Sequence, residues 1–258
     1  MDYSYIRYAV CWSPARYSAL GEFGVKWTGW CPEYGVRADL ADKRGLAHCV
    51  DLPEAQANRG LIANIRSPFR LAEGRSVWAL ERAMDALVQK MPEIPMPDMV
   101  PMISAGRVVM APNRTPQAVA NLVEKVGDMV RLFQAVPAPA TPRAERLPED
   151  DLSPEDSGQP VETFHMAMTG RMDPEGAKPL VDWLYRSVGP MWKQSGPIRS
   201  IDLMGDPGGG RPWRLVDRYR LATDTSRWGI QPMPSGMACP GVPPATEVAG
   251  SNWDTVIA

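Results

Sequence analysis

The sequence predicts an α+β protein of two similar lobes, each packing helices outside an antiparallel sheet, with a central groove between them. Three observations carry that prediction. Short runs of β-branched and aromatic residues alternate with longer runs whose apolar residues recur every three or four positions. The order is strand, helix, strand, helix, strand pair, helix, linker, strand, helix, strand pair, so the second half echoes the first. The 258 residues, 44% hydrophobic and 22% charged, are also enough to bury a sizeable core.

Residues 5–12 (Tyr-Ile-Arg-Tyr-Ala-Val-Cys-Trp) read as a strand that turns at Ser13-Pro14. A helix follows over 15–27, with Leu20, Phe23 and Trp27 on one stripe, although Gly21 and Gly24 weaken it. Residues 31–59 show no sustained period and read mainly as loop. A second strand, 60–66, runs into Ser67-Pro68, where proline is expected to stop the ladder. Ser76 caps a helix over 76–91 with Val77, Leu80, Met84, Leu87 and Val88 facing the core. After a connector at 92–101 rich in proline and methionine, two short strands at 102–104 and 107–111 meet near Gly106. Thr115-Pro116 opens the next helix, 115–134, with proline where its missing N–H costs little.

Residues 137–159 are proline, alanine and acidic residues that cannot bury enough apolar surface to offset their ordering entropy, so a mobile linker is expected. Past it come a strand over 162–170, a helix over 174–192 that Pro179 must start or kink, and strands at 197–204 and 213–221. The domain division expected is 1–222, with lobes of roughly 1–111 and 160–222, then a Pro/Gly-rich extension over 223–258. That extension either packs over the body or docks a protein partner.

Composition removes several function classes. A formal charge of −2 gives no broad attraction to nucleic acid or an anionic membrane. No apolar run is long enough for a membrane span, and the first residues lack the basic-then-apolar pattern of a secretory leader. Cys11, Cys31, Cys49 and Cys239 are scattered, so neither a disulfide framework nor a metal site is expected, and reduced thiols fit the cytoplasm. Gly208-Gly209-Gly210 is followed by Arg211-Pro212 and a strand rather than a helix, which favours a hairpin turn over a phosphate loop. No cofactor is expected.

One of the two histidines, His165, stands in Phe164-His165-Met166-Ala167-Met168-Thr169-Gly170. Alternation places His165, Ala167 and Thr169 on one strand face, which reads either as a wall of a phosphate or nucleotide pocket or as a polar strand edge. Taken with Arg7-Tyr8-Ala9-Val10, Phe23-Gly24, Trp27, Gly29, the run from Gly60 through Pro68-Phe69-Arg70-Leu71-Ala72-Glu73-Gly74, and Pro212-Trp213-Arg214-Leu215-Val216, the chain resembles the two-histidine phosphoesterase superfamily. The branch it resembles is one of unknown function associated with phosphonate-metabolism operons.

The resemblance implies a pseudo-twofold, bilobed fold in which each lobe carries histidine, any residue, then threonine or serine. The two histidines would act as general acid and base on a phosphodiester or cyclic phosphate while the hydroxyls hold phosphoryl oxygens. This sequence departs from that pattern. Where the family has Gly-Phe-His-Ala-Thr-Leu-Lys it reads Gly60-Leu61-Ile62-Ala63-Asn64-Ile65-Arg66, so Ile62 replaces the first histidine and Asn64 its hydroxyl partner. His165 is kept, but Ala167 replaces the second hydroxyl.

Asn64, Arg66, His165 and Thr169 then remain as candidate ligand-binding groups, with His165 the candidate catalytic residue. The expectation is a catalytically degenerate protein that binds a phosphorylated small molecule or nucleotide, or a protein. The alternatives are a residual phosphodiesterase acting through His165, and an assembly subunit docking through 223–258. His48 as a substitute histidine is a weaker reading. Arg214, Arg218 and Arg220 form either an anion patch or a solvated face.

Overall fold

The computed structural model describes residues 5–38, 52, 57–135 and 164–222. The expected linker, the C-terminal extension and His48 lie outside the described residues. Within them the protein is α+β, with a large antiparallel sheet, a two-stranded hairpin and helices packed against the large sheet.

The strands are β1 (Arg7–Trp12), β2 (Trp30–Cys31), β3 (Val36–Arg37), β4 (Ala63–Phe69), β5 (Met99–Ser104), β6 (Arg107–Pro112), β7 (His165–Ala167), β8 (Ser200–Asp206) and β9 (Arg214–Arg220). The helices are α1 (Ala19–Thr28), α2 (Val77–Val88), α3 (Gln117–Arg131), α4 (Pro174–Ser187) and the short α5 (Gly189–Lys193). Seven strands, drawn from both halves of the chain, form one sheet in the order β5-β6-β7-β4-β1-β8-β9, and β2 pairs with β3.

Local chemistry explains most boundaries. Ser18 and Ser76 accept from the N–H groups of Gly21 and Ala79 and so cap α1 and α2. Asp173 caps α4 with Pro174 at its first position. Pro179 lies inside α4 without ending it; the helix runs on to Ser187, and α5 follows at Gly189. The β5–β6 turn uses Ala105 and Gly106, both left-handed at φ 48° and 74°, which suits a tight two-residue hairpin.

Three expectations on the strands are corrected. Residues 30–37 hold the β2–β3 hairpin rather than loop alone. The strand at 102–104 begins earlier, at Met99, and tolerates Pro101 because β5 is an edge strand. Pro68 does not stop β4: Tyr8 faces Phe69 while Val10 faces Arg66, so one extra residue is absorbed as a bulge at Ser67-Pro68.

The sheet separates two environments. Tyr8, Val10, Trp12, Ala63, Ile65, Met110, Met166, Ile201 and Leu203 point into one core with the inward faces of all five helices. Alternation sends their neighbours to the opposite face, where only a small cluster of Ala9, Cys11, Ile62, Met204 and Trp213 is buried. Tryptophan N–H groups tie the layers together: Trp27 donates to Met168 O at 2.9 Å, Trp192 to Pro97 O at 3.1 Å and Trp30 to Trp213 O at 2.8 Å.

Candidate functional site

The site is built on the helix-free face of the sheet, and strand register decides which residues meet there. Ala63 faces Met166 and Asn64 faces His165 in the β4–β7 ladder. Asn64 also faces Cys11, Cys11 faces Asp202, and Asp202 faces Arg218. His165, Asn64, Cys11, Asp202 and Arg218 therefore form one row across five adjacent strands. Directly opposed residues stand about 5 Å apart, so the His165 and Asn64 side chains rise side by side.

Carried one residue further, the β4–β7 register sets Ile62 opposite Ala167. The four motif positions thus fall on two neighbouring antiparallel strands, with each first position across from the other strand's third. Ile62 is 7% exposed and packs with Ala9, Cys11, Met204 and Trp213. The side chain set opposite Ala167 is thus apolar and lies in an apolar cluster.

The start of β4 is fixed by Gly60. Its φ is +75°, and a Cβ there would come within 2.8 Å of the Pro32 ring, so only glycine fits. The loop before it is stitched to the turn before β9: Trp213 N donates to Asn58 O at 2.9 Å, and Asn58 Nδ2 donates to Gly210 O at 2.9 Å. Gly208, Gly209 and Gly210 are all left-handed and form that turn, as the sequence predicts.

The register brings Asn64 and His165 to this face, both half-buried, whereas Arg66 stands across from Val10 of the helix-side core and is not brought there, because the ladder shifts between Asn64 and Arg66. Arg66 donates through Nη2 to Gln134 Oε1 at 2.5 Å. Thr169 is not brought there. It lies past the end of β7 and is fully buried, and its hydroxyl accepts from Val108 N at 2.9 Å and donates to Gly170 O at 2.8 Å. That hydroxyl holds β6 against the segment following β7, and its one O–H is already given to Gly170 O, so it has none to donate to a phosphoryl oxygen.

The arginine stripe on β9 does not act as an anion patch. Arg218 gives Nε to Asp202 Oδ1 at 2.8 Å, Nη2 to Ser13 Oγ at 3.0 Å, and pairs with Glu33 at 3.1 Å. Ser13 Oγ also donates to Asp202 Oδ2. Burial alone would depress the Arg218 pKa, but Asp202 and Glu33 hold it above its ordinary value. Arg214 lies over the Trp30 ring at 5.9 Å. This end of the row is a closed network.

A second polar cluster lies on the same face, four positions along β1 from Cys11. Arg7 pairs with Asp206 at 2.7 Å, and Asp206 Oδ1 accepts from Gly208 N at 2.8 Å. Arg59 stacks over the Trp213 ring at 4.9 Å, and Arg7 lies 6.0 Å from the same ring. Sequence reasoning did not single out Arg59, Arg7 or Arg107 as functional residues. The signal for Arg7 was its alternation with Ala9 and Cys11. Nothing local marked Arg59, which precedes the strand and reaches the face only through the fold.

Among the described residues no group of three or more His, Cys, Asp or Glu side chains could hold a metal ion. No described helix is long and apolar enough to cross a membrane.

No curated protein matches the chain's sequence. Among solved structures, E. coli LigT complexed with 3′-AMP is similar at a TM-score of 0.43 and 9% identity, over 85% of this chain and 99% of that one. E. coli LigT complexed with NADP+ gives 0.41 and 10%, over 84% and 99%, and a phosphoesterase crystal structure 0.40 and 11%, over 85% and 99%. These are distant likenesses. Residues 64–214, more than half of the chain, match the model of the family described as "Protein of unknown function (DUF1045)", and the protein belongs to that family.

Proposed function

We propose that this protein binds a phosphorylated small molecule or nucleotide through Asn64 and His165, on a two-histidine phosphoesterase-like scaffold, without turning the ligand over. The observation that carries this reading is the β4–β7 register, which sets Asn64 against His165. An amide and an imidazole side by side supply donors suited to phosphoryl oxygens. Paired acid–base catalysis needs a second proton-transfer group in line with the first, and the position across the dyad from His165 is Ile62, packed among apolar residues. The reading extends to a cytoplasmic protein of the branch associated with phosphonate metabolism.

The test is a thermal-shift screen of the full chain against nucleoside 2′,3′-cyclic phosphates, ribosyl phosphates and phosphonates, with each sample assayed for product. The expected outcome is a concentration-dependent rise in Tm without turnover, lost in His165→Ala. Turnover abolished by His165→Ala would replace this reading with a one-histidine phosphodiesterase. No shift with any phosphorylated compound would remove the ligand and favour a protein-binding role.

A further inference from the structure

Arg59 is the group on this face that the reading above does not use. Its Nε is completely covered, yet has no hydrogen-bond partner among the described residues. A buried guanidinium N–H left unmade is costly, and more so when like charges stand near. Burial, then Arg7, pull its pKa down to about 10, with Arg107 adding to the repulsion and Asp206 and Cys11 opposing it. Asp206, the carboxylate acting on it, already accepts from Arg7 and from Gly208 N. The cation is held in place all the same, by the Trp213 ring at 4.9 Å and by the stitched loop of Asn58 and Gly60.

Position connects this arginine to the row of His165 and Asn64. Cys11 stands directly across from Asn64 on one side and within electrostatic reach of Arg59 on the other. Cys11 also packs in the cluster that holds Trp213, over whose ring Arg59 lies, so both groups of donors border that one cluster. Their chemistry differs, since Arg59 has Arg7 and Arg107 within electrostatic reach while the first group is an amide and an imidazole. Several guanidinium forks around one small area match a phosphoryl group, whose oxygens accept from more than one fork, better than a carboxylate.

We propose that the ligand carries two adjacent phosphoryl groups, as a nucleoside diphosphate does, one held by His165 and Asn64 and the second by Arg59 with Arg7 and Arg107 beside it. The inference rests on the phosphate-binding role of the first group. It adds a second subsite and a minimum charge for the ligand.

The experiment is calorimetric titration of the full chain with AMP and ADP, and with orthophosphate and pyrophosphate, repeated on Arg59→Gln and Arg59→Lys. Thermal melts of each variant establish that it is folded. The expected result is at least about tenfold tighter binding of each two-phosphoryl probe than of its one-phosphoryl counterpart. Arg59→Gln should erase that ratio and leave AMP affinity within about twofold, and Arg59→Lys should restore part of it. Equal affinities for AMP and ADP in the natural chain, or a ratio unchanged in Arg59→Gln, would overturn the second subsite while leaving the first intact. Absence of binding by all four probes would overturn both. A ratio that emerges only after Glu149, Asp150, Asp151, Glu155 and Asp156 are neutralised would assign Arg59 to the chain's own carboxylates and overturn the proposal.

Discussion

At the scale of single residues, burial sets the chemistry. Cys11 is fully buried, and loss of solvation pushes its thiol well above its ordinary value, with the nearby Asp202 charge adding to the rise. Tyr219 and Tyr8 are also raised, chiefly by burial. For each of these acids the folded state binds its proton more tightly than the unfolded chain does. Stability must then fall as pH climbs past the unfolded values of roughly 8.5 for cysteine and 10 for tyrosine. Chemical denaturation between pH 7 and 10.5 should show that decline, by up to about 1.4 kcal/mol per pH unit for each group fully ionised only when unfolded. Cys11→Ala should flatten its earlier part. A flat profile would mean these groups ionise in the folded protein.

Asp202 offers a second residue-scale test. It is 1% exposed and accepts from Arg218 and Ser13. Asp202→Ala leaves the Arg218 guanidinium half-buried beside Glu33 alone, and a loss of about 3–5 kcal/mol is expected from denaturant titration. A loss under about 1 kcal/mol would show the network to be a surface pair in effect.

At the scale of elements, caps, stripes and turns were legible because each is encoded within a few residues. Ser76 with Leu80, Met84 and Val88 defines α2 almost unaided. The Gly208-Gly209-Gly210 turn was legible for the same reason. Pro68 misled because its effect depends on a partner: a proline stops a regular ladder, but not one that bulges there. Pro179 is a further case. It lies exposed in α4, where a missing N–H and a ring clash cost up to about 3 kcal/mol. Pro179→Ala should therefore raise Tm, with the gain reduced by the freer unfolded chain. An unchanged or lowered Tm would show that α4 has already relaxed around the ring.

At the scale of the whole molecule, the α+β class was legible, but the strand order was not. Alternation at 164–168 separates His165 from Met166 as the ladder does, but the bulges in β4 made the side of Arg66 illegible. Nor could it say that β4 and β7, about a hundred positions apart, would be neighbours, since pairing partners are chosen by tertiary burial. Thr169 failed for a related reason: alternation assumes a strand continues, and β7 ends at Ala167. The sheet order predicts how stability is distributed. β1 has partners on both sides and its residues from Tyr8 to Trp12 are buried, whereas β5 lies at an edge. Hydrogen exchange should find amides of β1 the slowest and those of β5 among the faster strand amides, and the reverse order would contradict this sheet arrangement.

The antiparallel pairing of β4 with β7 has a consequence for direction. Two strands related by a local dyad, each bearing the same motif, make a site that looks alike from either end, so a symmetric ligand core can enter in two senses. Here the dyad carries Asn64 and His165 at one end and Ile62 and Ala167 at the other. One end carries polar side chains while the other carries apolar ones. A molecule with a charged head and an uncharged body can lie along that axis in one sense only, and the surface has become a pointer where its plan was a mirror.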